Sequence, residues 1–166
     1  MKGTFFILII CCCFLSACSS QAPNEYISNK IGIKIPSNID IELTDTHAGF
    51  LGDGTTYTKI EFTDKVADNI NTSIKENHNW NLLPLSENLQ LIMYGGISGT
   101  LIYQYNLANH FGIPTIQHGY WMFIDRFDKE ITLYSDDDLF DSGSFNFTLA
   151  IYDTDTNTLY YLEYDT

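Results

Sequence analysis

No cysteine follows residue 18, and the four that the chain holds, Cys11, Cys12, Cys13 and Cys18, all lie near the start of its 166 residues. Whatever folds beyond them has no internal disulfide, no thiol nucleophile and no thiolate zinc site. Positive charge is almost as scarce. Eight Lys and Arg stand against 21 Asp and Glu, a formal net charge of −13, and Arg126 is the only arginine. Nucleic acid and anionic headgroups reward basic residues, so such a body is repelled by both, and nucleic acid is not expected as a partner. Long apolar runs are missing too. The one that begins at Phe5 ends at Leu15, short of the roughly 20 residues that span a bilayer. Recognisable catalytic spacing is the last absence. His47, His78, His110 and His118 are scattered without an H-x-x-x-H or HExxH pattern, and nothing calls for a metal or a cofactor.

What is present starts at the amino end. Lys2, a short greasy stretch and the small residues Ser16 and Ala17 compose a secretory signal peptide over residues 1–17. Cys11 follows Ile10, and Cys12 and Cys13 each follow another cysteine, all within the apolar run. Only Cys18 has small residues before it and polar chain after it. The ending Leu15-Ser16-Ala17-Cys18 resembles the lipobox of bacterial lipoproteins. That resemblance implies a diacylglyceryl group on the Cys18 thiol and cleavage just before it. Two acyl chains hold a protein stably on a membrane where one does not. The expected address is therefore the extracytoplasmic side of the cell membrane, reached through acyl chains on Cys18. Residues 18–29 are expected to be the lipidated cysteine and a flexible tether, with Ser19 to Asn24 as its loosest part. Loss of the leader removes Lys2 and takes the formal charge to −14.

Residues 30–166 are long enough for one domain that buries about two-thirds of its unfolded surface. Ile31, Ile33 and Ile35 alternate with Gly32 and Lys34, which predicts a strand ended by Pro36. Ile39, Ile41 and Leu43 predict a second, and Gly49, Gly52 and Gly54 mark a turn into a third over 55–62. The period changes at Thr63. Val66, Ile70 and Ile74 recur every four residues, predicting an amphipathic helix over about 64–77 capped by Thr63. Ser86 is placed to cap a shorter helix ended by Gly95-Gly96. "YQYNLANHFGIP" suits a third helix, although Ile102, Tyr103 and Tyr105 equally suit a strand.

After Gly119 the chain returns to β formers. "SFNFTLAIYDTDTNTLYYLEYD" predicts a long hairpin with loop Thr154 to Asn157, in which Ile151 faces Tyr160, Leu149 faces Leu162 and Phe147 faces Tyr164. One face is then uniformly apolar. The other carries Asn146, Thr148, Ala150, Tyr152, Leu159, Tyr161, Glu163 and Asp165. The predicted fold class is α+β: an antiparallel sheet of hairpins packed against one main amphipathic helix and one or two short ones.

Candidate chemistry is sparse. "DTDTNT" offers oxygens at Asp153, Asp155 and Asn157, but an EF-hand needs glycine at its sixth position and glutamate at its twelfth. Those positions hold Thr158 and Tyr164, so a plain hairpin turn is expected. Asp136, Asp137, Asp138 and Asp141 suggest a solvated acidic turn with, at most, weak cation binding. Ser98 in "GGISGT" lacks the second glycine of a nucleophile elbow in its proper place. Arg126 either pairs with Asp125 or Asp128 or holds an anionic ligand. Trp121 is a core ring or a stacking platform. Tyr152 and Tyr161 would form a binding surface if no helix covers their face. Trp121, Arg126, Tyr152 and Tyr161 are thus the binding candidates.

The stretches "GDGTTYTKIEF", "WNLLPLSENLQLIMYG" and "SFNFTLAIYDTDTNTLYYLEYDT" resemble small uncharacterised secreted or lipid-anchored proteins of Gram-positive bacteria, a likeness that implies no particular activity. The expected role is a binding or interaction module at the cell envelope, engaging a protein or a small molecule. Two other readings stay open: a small envelope hydrolase, and an acidic inhibitor or immunity-type protein.

Overall fold

The hairpin over residues 146–165 lies at the centre of the fold. A computed structural model of the chain describes residues 21–47, 52–127 and 134–166; Cys18 and its leader, and Gly49 of the expected turn, lie outside them. Strands β7 (Asn146–Asp153) and β8 (Thr158–Asp165) pair in the register that side-chain matching predicts, with Ile151 opposite Tyr160, Leu149 opposite Leu162 and Phe147 opposite Tyr164. Asn157 takes a left-handed φ of 53° in the connecting turn, a conformation that asparagine tolerates because its side chain bonds locally. The Asp153 carboxylate closes the turn, accepting from the Asp155 N–H at 2.9 Å and the Thr156 hydroxyl at 2.8 Å.

Around this hairpin the remaining strands are β1 (Thr44–Asp45), β2 (Gly54–Glu61), β3 (Asn81–Leu82) and β6 (Gly119–Asp125), giving the antiparallel order β1-β2-β8-β7-β6-β3. Strands β4 (Gly96–Ser98) and β5 (Leu101–Tyr103) form a separate two-stranded sheet. The helices are α1 (Pro23–Ile31), α2 (Asp64–Glu76), α3 (Glu87–Tyr94) and α4 (Leu107–Phe111). The α+β class and the antiparallel sheet are as the pattern predicts.

The layering differs from the expected single main helix. Met122, Ile124, Ala150, Tyr152, Leu159 and Tyr161 share one core with Ile27 and Ile31 of α1 and Ile70 and Ile74 of α2. On the opposite face Trp121, Phe123, Phe147, Leu149, Ile151 and Leu162 share another with Leu89, Ile92 and Met93 of α3 and Leu107 and Ala108 of α4. Helices cover both faces, so strands β6, β7 and β8 are buried on both sides. The apolar alternation that would mark one wet face is filled in by tyrosine, threonine and alanine.

Four local expectations are corrected. Residues 23–29, expected to belong to a tether, are helical, the start of α1, and Ile31, expected to open a strand, is the end of that helix. Proline at the first helical position, Ile27 and Ile31 four apart, and Gly32 at φ 67° with its N–H bonded to the Ser28 carbonyl account for a nine-residue helix. Ile33 and Ile35 are buried beyond it in extended chain. Ile39, Ile41 and Leu43 also lie inward, partly buried against the first core, but only Thr44 and Asp45 form a ladder with β2. "YQYNLANHFGIP" divides, its start completing β5 and only Leu107–Phe111 turning helical.

Helix α2 begins after Thr63 as expected, although the Thr63 side chain makes no capping hydrogen bond. Ser86 does cap α3, its hydroxyl oxygen accepting from the Leu89 N–H at 3.3 Å.

Candidate functional site

The four binding candidates are not brought together on a surface. Tyr152 is 1 % exposed and Tyr161 is 0 % exposed, both beneath the layer of α1 and α2, so the aromatic face expected there is core. Trp121 is 8 % exposed on the opposite face and its indole N–H donates to the Pro84 carbonyl at 3.1 Å, the arrangement that a buried tryptophan requires. Arg126 does not pair with Asp125, and Asp128, the other expected partner, lies outside the described residues. Its Nη2 donates to the Phe147 carbonyl on β7 and to Asp165 on β8, each at 2.9 Å.

That contact is the entry to a polar cluster at one end of the sheet. Asp165 also accepts from His47 Nε2 at 2.7 Å and, with the Asn146 amide turned to suit its neighbours, from that side chain at 3.1 Å. His47 bonds in the other direction to Asp45 through Nδ1 at 2.7 Å. Gly54 permits this approach, because a Cβ there would lie 2.5 Å from the His47 Cα. Desolvation pulls the His47 pKa down, but hydrogen bonds to Asp45 and Asp165 and the charge of both outweigh it. The net shift is upward from the ordinary histidine value. Asp45 moves the opposite way, held low first by the His47 backbone N–H and then by its ring.

One residue pair earlier along β8, Glu163 is buried. The Tyr26 hydroxyl of α1 donates to it at 2.9 and 3.1 Å, and the Tyr161 hydroxyl makes a short hydrogen bond to the same carboxylate. Lys30 approaches at 3.9 Å. Burial, then the adjacent Glu163 charge, pushes Tyr26 up to about 12 and Tyr161 well above the ordinary tyrosine range. Both phenols stay protonated donors at any physiological pH. Paired and hydrogen-bonded in this way, a buried carboxylate is tolerated.

The cluster's main donors and acceptors are engaged with one another: both ring nitrogens of His47 meet carboxylates, the Glu163 oxygens accept from phenols, and among the described residues no serine or cysteine hydrogen-bonds to either. A groove of about 610 Å³ beside α1 is lined by Asn24, Glu25, Ser28, Ile33 and Lys34. A second hollow of about 390 Å³ is lined by Pro84, Gln90, Tyr94, Thr115 and Gln117. Neither is lined by His47, Arg126, Glu163 or Asp165.

The other sequence candidates fall elsewhere. Asp136 accepts from the Ser86 hydroxyl at 2.5 Å, and its carbonyl accepts from the Asn88 amide at 2.8 Å, so the acidic loop is tied to the start of α3. Ser98 donates to Glu87 at 2.6 Å on the β4–β5 hairpin, with no histidine among its partners. His118 meets Asp155 at 2.8 Å on the open surface. Among the described residues no group of three or more His, Cys, Asp and Glu is placed to hold a metal ion, and no helix is long and apolar enough to cross a membrane.

The surface that the sequence reading missed is that hairpin. Ile97 and Ile102 face each other across the two strands, each 72 % exposed, and Leu101 is 61 % exposed. The signal was available: Ile97, Leu101 and Ile102 cluster around Gly99-Thr100, apolar residues on either side of a tight turn. No protein-family model matches this chain, and no curated protein or solved structure matches it either.

Proposed function

We propose that the chain is a lipid-anchored protein of the extracytoplasmic face of the cell membrane, held by acyl chains on Cys18, and that its folded body works by binding at the envelope without catalysis. The observation that carries the address is Leu15-Ser16-Ala17-Cys18, the one place where small residues precede a cysteine and polar chain follows it. The case for binding over hydrolysis rests on His47. A general base needs a free ring nitrogen within reach of a substrate proton, and both nitrogens of His47 lie 2.7 Å from carboxylates. The exposed aliphatic hairpin is the contact surface in this reading. An acidic inhibitor draws its support from the net charge of −13; its complex would dissociate steeply with salt, whereas an apolar contact would hold.

Metabolic labelling with a radioactive fatty acid tests the address. Cys18→Ala should abolish the label and leave uncleaved precursor, and continued labelling would place the attachment elsewhere. Crosslinking in the protein's own membranes, with and without Ile102→Asp, tests the contact surface. Adducts indifferent to that substitution would show that the hairpin is not the surface used.

A further inference from the structure

We infer that the β4–β5 hairpin is a membrane-dipping element that seats in the headgroup zone of a zwitterionic bilayer. The inference rests on the reading above that the hairpin is a contact surface, and names what it contacts.

Four observations choose lipid over protein. From Asn88 to Ile124 the sequence contains no Asp, Glu, Lys or Arg, in a chain whose net charge is −13. The hairpin falls within this run, so its own strands add no charge, and the carboxylate against it, Glu87, sits at its base bonded to Ser98. Next, its apolar residues occupy both faces. Ile97 and Ile102 form one cross-strand pair, while Leu101 stands opposite Ser98 on the other side. A protein partner covers one face of a ribbon; fluid lipid surrounds both.

The base of the hairpin carries tyrosines. Tyr94 and Tyr105 are each more than one-third exposed, and the rings of Tyr103 and Tyr105 rest on Phe140 at 4.6 and 5.8 Å. An aliphatic tip above a tyrosine collar matches the interface, where amphipathic rings sit at headgroup level. Lastly, position favours the membrane. Phe145 links Tyr105 at 5.4 Å to Tyr164 at 6.0 Å, near the end of β8. On the other face Tyr26 of α1 meets Glu163 at that same end. Cys18 precedes the first residue of α1 by only five positions. So short a stretch holds the start of α1, and with it the body that carries the hairpin, within about 18 Å of an acylated Cys18.

Dimension and charge set the depth and the lipid. Three residues per strand reach about 10 Å, comparable with the roughly 5–10 Å to which interfacial elements bury their apolar faces. The two free strand edges keep the ribbon in the hydrated headgroup zone, since open edges are not tolerated in hydrocarbon. Glu87, bonded to Ser98, and the acidic loop tied to Ser86 stand at the base. They disfavour anionic lipid. A second copy of the chain is disfavoured by the same charge.

The test uses the full chain, isolated in detergent and reconstituted into phosphatidylcholine vesicles with brominated acyl chains. Ile102→Trp and, separately, Ile97→Trp place a fluorophore at the tip, against the buried Trp80 and Trp121; Thr72→Trp on α2 is the control. The tip variants should lose at least half of the added fluorescence and the control almost none. Replacing phosphatidylcholine with phosphatidylglycerol should weaken the quenching at low salt and restore it as salt screens the repulsion. In the chain without its first 20 residues, which has neither leader nor acyl anchor, Ile102→Asp should lower vesicle binding about tenfold or more, the effect of one large aliphatic side chain. Equal quenching at tip and control, or no quenching with folding intact, overturns the inference. So does a dimer in solution that Ile102→Asp dissociates. Fatty-acid labelling of Cys18 is read on the same material, so a failed anchor is not confused with a failed hairpin.

Discussion

Glu163 and its two phenols form the part of the structure whose energetics can be tested most sharply. Tyr161→Phe removes one hydroxyl from a fully buried site and leaves the ring in place. The lost bond is to an ionised acceptor, which contributes about 1.5–3 kcal/mol. Tyr26→Phe removes the other phenol from a half-buried position, where water can replace it, so its cost lies at or below the lower end of that range. Denaturation by urea, followed by circular dichroism on the chain without its first 20 residues, should show Tyr161→Phe the more destabilised with the slope unchanged. At this size a kcal/mol moves Tm by about 2–4 °C, so Tyr161→Phe should fall by about 3–12 °C.

The double variant distinguishes a shared acceptor from two separate bonds. With both phenols gone, Glu163 keeps, among the described residues, only Lys30 at 3.9 Å, a contact that is itself partly in water. A buried carboxylate stripped of its donors is costly. The double loss should therefore exceed the sum of the single losses by about 0.5–3 kcal/mol. Additive losses, or a Tyr161→Phe as stable as the parent, would refute the account of Glu163 as a charge held by these hydroxyls.

Three further outcomes follow from the same geometry. His47 has its pKa raised in the folded state, so its stabilisation is complete below the unfolded value of about 6.5 and is lost as pH rises through the folded value. In a His118→Gln background, the unfolding midpoint should decline above about pH 6.5, and His47→Gln should flatten that decline. Ile27 is 0 % exposed; Ile27→Ala should cost about 2–5 kcal/mol in urea unfolding, against nearly nothing if residues 23–29 were a tether. Millimolar calcium should leave Tm unchanged, because Asp153 closes its own turn and Asp136 is bonded at the start of α3; a rise would reveal a cation site.

The legible parts of this fold are those in which local pattern and final environment agree. Phe147, Leu149 and Ile151 recur at every second position, as do Tyr160, Leu162 and Tyr164, so one register sets a wholly apolar face side chain to side chain. Ser86 and Gly95 bound α3 in sequence as they do in space. The pattern failed where burial was supplied from far away. Ile31, Ile33 and Ile35 alternate like a strand and are all buried, but Pro23, the Ile27–Ile31 spacing and Gly32 describe a helix that ends in extended chain. Tyr152 and Tyr161 read as half of a wet face because Thr148, Glu163 and Asp165 share it. Helices α1 and α2 cover that face, and Tyr26 supplies the donor that lets Glu163 be buried there.

The end cluster illustrates the limit most clearly. Sequence proximity pairs Arg126 with Asp125 or Asp128, at the cost of little more than two solvated side chains. The fold pairs it with a carboxylate 39 residues away and His47 with the same carboxylate 118 residues away. Strand order decides this, since β2 and β7 flank β8 and bring their neighbours to its last residue. Asp165 can satisfy three donors only there. The apolar hairpin obeys the opposite logic: its residues are adjacent in sequence, yet Ile97, Leu101 and Ile102 each stay more than half exposed. An acidic chain that leaves three aliphatics uncovered on one uncharged ribbon offers there a contact surface unlike the rest of its exterior, and the chemistry of what meets it is the question that the quenching experiment answers.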